Sequence, residues 1–296
     1  MAGGSKKRRR VKKKRGKRKH EKEGITPLNV KYWLQRYKLF SRYDEGIRMD
    51  EEGWYSVTPE EIAIGHADRC GGGLVIDCFS GVGGNAIQFA RLCQFVIAID
   101  IDPRKVVMAF NNASIYGVED YIDFIIGDFF QLAPYLKGDV VFVSPPWGVP
   151  SYKTIQSFTM DLLKPKDGYS IFQAAQRITP NIIMFLPRNV NLNQVEELSW
   201  LSSPPLMLEI EENYLEGYFK GITVYFGASA HRSSGWGPSG WQIPTSFGRR
   251  YTGMVAEIKG LTLSEGTDKV LYCGSQGAPQ SIKATTCQLM TFQPGS

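Results

Sequence analysis

From residue 74 to residue 226 the chain alternates short apolar runs with segments of helical periodicity. Leu74–Cys78, Phe95–Ile99, Asp123–Ile126, Asp139–Val143, Asn181–Leu186, Leu206–Glu212 and Gly221–Phe226 read as strands. Asn85–Leu92, Pro103–Tyr116 and the region 171–178 read as helices between them. Strand–helix alternation of this kind predicts an α/β, doubly wound, mostly parallel seven-stranded sheet with helices on both faces. The last two strands have no helix between them, which predicts an antiparallel hairpin at one edge. Upstream, Tyr32, Trp33, Arg36, Tyr37 and Phe40 recur at three- and four-residue spacing and predict an amphipathic helix. A second helix is expected after Ser56-Val57, with Thr58 as N-cap, Pro59 at its first position and Glu61 as the capping-box acid. After Phe226 the pattern fails in a stretch rich in Gly, Ser and Pro. The expected organisation is a disordered basic tail (1–24), a small helical N-terminal extension (25–70), the sheet domain (71–230) and a disordered tail of unassigned role (231–296).

Charge sharpens this division. Residues 1–23 hold 13 of the 35 Lys and Arg and only Glu21 and Glu23, leaving 22 basic against 27 acidic residues elsewhere. The folded body is mildly acidic and the basic character sits in one tail, as suits an import address or an electrostatic tether to RNA. No apolar run approaches the ~20 residues of a membrane span. Five cysteines, odd in number and without paired-ligand spacing, read as reduced thiols, and three scattered histidines make a metal site unlooked-for. No histidine lies beside a strand end, so a histidine-based catalytic dyad is poorly supported.

The candidate chemistry lies at the strand ends. Asp77-Cys78-Phe79-Ser80-Gly81-Val82-Gly83-Gly84-Asn85 joins the first strand to the first helix, and Gly81 and Gly83 allow close backbone approach to a ligand. Asp100, about 20 residues on, suits a ribose hydroxyl pair in either NAD or S-adenosylmethionine. Asp77 can meet an ammonium group, which NAD lacks, and Asp128-Phe129 offers a carboxylate for an adenine amino group and a ring beside it. After the fourth strand, Ser144-Pro145-Pro146-Trp147 can hold an exocyclic amine: a hydroxyl and a proline carbonyl to accept its hydrogens, and an aromatic to stack on its ring. A rigid turn with a core tryptophan would read the same way. An NAD-linked oxidoreductase would leave that tetrapeptide without a task.

Taken together, these residues resemble the trimethylguanosine synthase family, which adds two methyl groups to N2 of a 7-methylguanosine RNA cap. The resemblance runs from about Val30 to Phe226. It is carried by Lys31-Tyr32-Trp33 with Gln35-Arg36-Tyr37, Leu39-Phe40-Ser41-Arg42, Gly53 to Glu60, Asp77 to Asn85, Ala98 to Pro103, Ser144 to Gly148, and Leu186-Pro187-Arg188-Asn189. It implies a Rossmann-like class I methyltransferase fold and S-adenosylmethionine as cofactor. By resemblance Asp77, Asp100 and Asp128 bind the donor, with Phe40, Ser56 and Thr58 closing over it. Ser144 and Pro145 orient N2, Trp147 stacks on the methylated guanine and Asn112 contacts the base. Lys31, Tyr152 and Arg188 hold the cap phosphates. The implied partners are 7-methylguanosine-capped small nuclear and nucleolar RNAs. Import factors and ribonucleoprotein proteins are expected on the basic tail, and residence in the nucleus and nucleolus with some of the pool in the cytoplasm. Ser80, Val149 and Ser151 depart from the family's pattern at positions that need no particular side chain. A cap-binding protein without catalysis would keep Trp147 and Arg188 but not need Asp77 or Asp100. Other amino-group methyltransferases of RNA or DNA typically carry Asp or Asn where Ser144 stands.

Overall fold

A computed structural model describes residues 30–148, 154–230 and 271–273. The basic tail, Tyr152, Val149 and Ser151 lie outside the described residues, as does the side chain of Lys31.

The sheet is built from β1 (Leu74–Asp77), β2 (Phe95–Asp100), β3 (Ile122–Ile126), β4 (Val140–Val143), β5 (Ile182–Pro187), β6 (Leu208–Leu215) and β7 (Tyr218–Phe226). An eighth short strand, β8 (Leu271–Cys273), pairs antiparallel with β3. It comes from the segment expected to be a disordered tail, so that expectation fails for these three residues. This backbone pairing covers what would otherwise be the open edge of β3. The order is β6-β7-β5-β4-β1-β2-β3-β8, with β1 to β5 parallel and β6 and β7 forming the antiparallel hairpin. The chain runs outward from β1 through β2 to β3, then returns to the other side of β1 for β4. That reversal opens a crevice at the carboxyl ends of β1 and β4, where ligands bind in open α/β sheets.

The helices are α1 (Val30–Trp33), α2 (Arg36–Leu39), α3 (Gly53–Ser56), α4 (Glu60–Asp68), α5 (Gly84–Leu92), α6 (Pro103–Tyr116), α7 (Phe129–Leu132), α8 (Gly168–Gln176) and α9 (Leu192–Ser199). Both faces of the central strands are buried, and alternate residues feed different cores. Leu74, Ile76, Val141 and Val143 pack with α7, α8 and α9, whereas Val75, Val140 and Phe142 pack with α4, α5 and α6. Leu39, Phe40, Trp54 and Ile62 of the N-terminal extension join this second core. The extension therefore shares the domain's interior.

Three local expectations change. The single helix over 32–40 is broken at Leu34-Gln35, because the Arg36 guanidinium turns back to the Trp33 carbonyl (3.1 Å) and lies over the Trp33 and Tyr37 rings. The α4 helix starts at Glu60 with Pro59 as its cap residue and no side-chain cap, so Thr58 and Glu61 form no capping box. Thr58 faces the cleft instead, and Glu60 bonds the Ser41 hydroxyl (2.9 Å) and the Tyr116 hydroxyl (2.8 Å). The α9 helix, unforeseen, is capped by Asn191, whose side-chain oxygen accepts from the Asn193 amide at 3.1 Å.

Candidate active site

A cleft of about 680 Å³ lies over the carboxyl ends of β1 to β4. Asp77 ends β1 with 1% exposure, and among the described residues neither carboxylate oxygen has a hydrogen-bond partner. Burial first, then the nearby Asp100 charge, pushes its pKa up to about 8, while the Phe79 amide pulls the other way from outside hydrogen-bond geometry. An orphaned buried carboxylate lining a cleft is what an ammonium-bearing ligand requires. The donor named by the sequence reading fits these residues.

The loop after Asp77 is fixed by its backbone. The Ser80 amide donates to Ile99 at 2.8 Å, and the Gly81 amide donates to the Asp100 carboxylate at 2.8 Å. Gly81 has φ +53°, and a Cβ there would meet nothing within 4 Å, so its bare backbone opens onto the cleft. Asp100 also accepts from the Asp102 amide at 2.9 Å. Two amides thus aim its carboxylate, while desolvation raises its pKa. Asp128 caps α7 through the Phe130 amide (2.8 Å), leaving the other oxygen for a ligand, and the buried Phe129 ring lies beside it.

Ser56 and Thr58 of the extension line the same cleft, as expected. Gly84 sets how closely they approach: a Cβ there would fall 2.6 Å from Val57 Cγ2. The Gly84→Ala variant should therefore lose about 1–3 kcal/mol of stability and bind the donor several-fold more weakly. Thermal unfolding and calorimetry check both, and wild-type values would show that the 56–58 segment is not held by this contact.

On the acceptor side, β4 delivers Ser144, Pro145 and Trp147 into the cleft. The Pro146 carbonyl is taken by the Lys164 amide at 3.2 Å, whereas the Pro145 carbonyl and the Ser144 hydroxyl have no partner among the described residues. Trp147 is anchored through its indole N–H to the Phe185 carbonyl (3.2 Å) and through its ring to Phe185, with centroids 5.1 Å apart.

Four predicted site residues stand elsewhere. Phe40 is 1% exposed and packs behind Gly84 and near Tyr116, so it supports the loop without lining the cleft. Gly83, at φ +90°, also lies behind, where a Cβ would meet Ala109 at 3.1 Å. Asn112 is fully buried; its amide nitrogen donates to the carbonyls of Arg48 and Val82 (both 2.9 Å) and its oxygen accepts from the Arg48 amide (2.8 Å). It splices the extension to the glycine loop and has nothing left for a base. Arg188 is exposed just beyond β5, outside the cleft wall. The sequence reading missed Tyr55, the Lys105–Glu52 ion pair (2.6 Å) and Lys164, which all line the cleft. Tyr55 stands inside one of the family-like stretches and could have been singled out. Lys164 had no local signal.

The family model for RNA cap guanine-N2 methyltransferases matches residues 72–229. The trimethylguanosine synthase of Schizosaccharomyces pombe is 43% identical over 207 residues, 66% of this chain and 84% of that protein. The trimethylguanosine synthase of Saccharomyces cerevisiae is 36% identical over 230 residues, 69% of this chain and 70% of that protein. Among solved structures, a methyltransferase-named chain from Porphyromonas gingivalis W83 aligns with a TM-score of 0.53 at 15% identity, covering 69% of this chain and 51% of that one, which speaks for the fold alone. With Asp77, Asp100, Asp128 and Ser144–Trp147 lining one cleft, and with these matches across the sheet domain, the chain belongs to the RNA cap guanine-N2 methyltransferase family.

Proposed function

We propose that this S-adenosylmethionine-dependent enzyme converts the 7-methylguanosine cap of small nuclear and small nucleolar RNAs to 2,2,7-trimethylguanosine by two successive N2 methylations. The observation that carries it is the convergence, in one cleft, of the Asp77 carboxylate, which has no hydrogen-bond partner among the described residues, with Ser144, Pro145 and Trp147. The names of the two fungal relatives support the same product.

Bound S-adenosylmethionine supplies an electrophilic methyl group. Asp77, Asp100 and Asp128 would hold the donor's ammonium, ribose and adenine ends, with Ser56 and Thr58 lining the same cleft. The guanine N2 lone pair is delocalised into the ring and is a poor nucleophile. Ser144 and the Pro145 carbonyl accept its two hydrogens, favour a pyramidal nitrogen and aim the lone pair along the transfer line. Catalysis then consists of positioning and electrostatics. The methylated nitrogen, while cationic, is acidic enough to lose its proton to water, so no buried base is needed. Trp147 stacks on the guanine, and the positive charge that N7 methylation brings adds about 0.5–2 kcal/mol over an indole face. By the family resemblance Lys31, Tyr152 and Arg188 would contact the cap phosphates. The basic tail serves nuclear and nucleolar import, with part of the pool in the cytoplasm, and contacts import factors and ribonucleoprotein proteins. A fluorescent fusion lacking residues 1–24 should then lose nuclear accumulation.

Incubation with 7-methylguanosine diphosphate and donor should give a product heavier by two methylene units. Guanosine diphosphate should be a poor substrate. Absence of any mass gain on the methylated cap would overturn the proposal.

A further inference from the structure

His66 is a buried titratable group for which the transfer chemistry has no use. It stands on α4 with no exposure, its Nδ1 2.9 Å from the Asn85 amide nitrogen and its Nε2 2.8 Å from the Thr223 hydroxyl. An amide nitrogen can only donate, so Nδ1 is the bare acceptor and the ring hydrogen sits on Nε2, donated to Thr223. The Asn213 amide donates to the same hydroxyl oxygen at 2.7 Å. Burial pushes the imidazole pKa down to about 3, so the ring stays neutral and keeps this tautomer.

The partners of His66 serve different halves of the cleft. Asn85 stands in the first turn of α5 at the end of the glycine loop and lines the cleft, and its bond to His66 leaves the amide oxygen as the end available to a ligand. The His66 ring also packs on Phe142 (centroids 5.1 Å) and Phe185 (5.2 Å). Phe142 belongs to the cleft floor, and Phe185 holds Trp147 by both carbonyl and ring.

We infer that His66 is a positioning residue shared by both half-sites: its Nδ1 fixes Asn85 beside the donor loop, and its ring fixes the Phe142–Phe185 floor that seats Trp147. It touches no reacting atom. The inference rests on the reading of the cleft as a donor pocket joined to a cap pocket.

The two functions of the side chain are separable by substitution. His66→Phe keeps a ring between Phe142 and Phe185 but removes both nitrogens. His66→Gln offers Asn85 an acceptor but removes the ring. Calorimetry on the full chain with S-adenosylhomocysteine and with 7-methylguanosine diphosphate, beside Tm, reads each half. The expected result is a double dissociation. His66→Phe binds S-adenosylhomocysteine about tenfold more weakly, a net hydrogen bond's worth, with cap affinity within about twofold. His66→Gln shows the converse, with a cap affinity several-fold lower. If His66→Phe does not fold, Thr223→Val removes the Nε2 acceptor without touching the ring, and should weaken the donor analogue about threefold while sparing the cap. Wild-type affinities for both ligands in folded variants would overturn the inference, as would parallel losses of both that track Tm. Failure of the cap reading shows instead in the unaltered protein, as no binding of 7-methylguanosine diphosphate.

Discussion

Replacing Trp147 with alanine should lower kcat/KM for the 7-methylguanosine cap by about 10²–10³-fold and leave donor affinity within about twofold. The size follows from losing base stacking, about 1–3 kcal/mol, together with the cation–π increment of about 0.5–2 kcal/mol that N7 methylation provides. The donor should be spared because its proposed ligands stand at the ends of β1 and β2 and just after β3, while Trp147 follows β4 and is held by Phe185 on β5. Trp147→Phe should fall between the two, keeping a stacking face but losing the indole N–H anchor. Preference for 7-methylguanosine over guanosine diphosphate should shrink in both variants, since the charge at N7 is what the indole tests. Steady-state kinetics with both nucleotides and calorimetry with S-adenosylhomocysteine make the comparison. Undiminished turnover of the methylated cap by Trp147→Ala would remove the central assignment.

Asp77→Asn should nearly abolish donor binding, by about 10²-fold or more, while making the ligand-free protein more stable at neutral to alkaline pH. The carboxyl's pKa stands near 8 in the folded protein against 3.8 as its ordinary value. A raised acid pKa means the folded state binds more protons than the unfolded state between those two values. Stability from this group is therefore fully present below about pH 3.8 and is lost progressively as pH rises towards 8. The Tm advantage of Asp77→Asn over wild type should accordingly widen across that interval. Donor binding sets an ammonium against the carboxylate and pulls its pKa down again, so about one proton should be released per donor bound near pH 7. Calorimetry in buffers of different ionisation enthalpy measures that proton directly. Its persistence in Asp77→Asn would mean that another group titrates.

How much of this was legible depended on the range over which each feature is decided. The Pro103–Tyr116 helix matches its expected bounds because Asp102 caps it, Pro103 opens it and Gly117 ends it at φ +70°, all within the segment itself. The helix expected over 32–40 was broken by a tertiary competitor, the Arg36 guanidinium held between Trp33, Tyr37 and Tyr43. Asp77, Asp100, Asp128 and Ser144 fall in one cleft because a parallel sheet puts successive strand ends along one edge, so position in sequence stands for position in space. Phe40 and Asn112 were misplaced for the opposite reason. An aromatic ring and an amide near a site look the same in sequence whether they face the ligand or the core behind it.

The sequence by itself determined the strand–helix alternation, the acidic strand ends, the Ser-Pro-Pro-Trp turn after the fourth strand and the segregation of basic charge into one tail, since each follows from local period or composition. Tertiary structure alone decided that β4 returns beside β1 and brings Ser144–Trp147 to the donor loop. It also decided that the extension shares the domain's core, that Lys105 and Lys164 reach the cleft, and that His66 is buried between the two half-sites. These contacts join residues tens to more than a hundred positions apart. Only the burial of both sheet faces, which selects one strand order and one packing, fixes which of them meet.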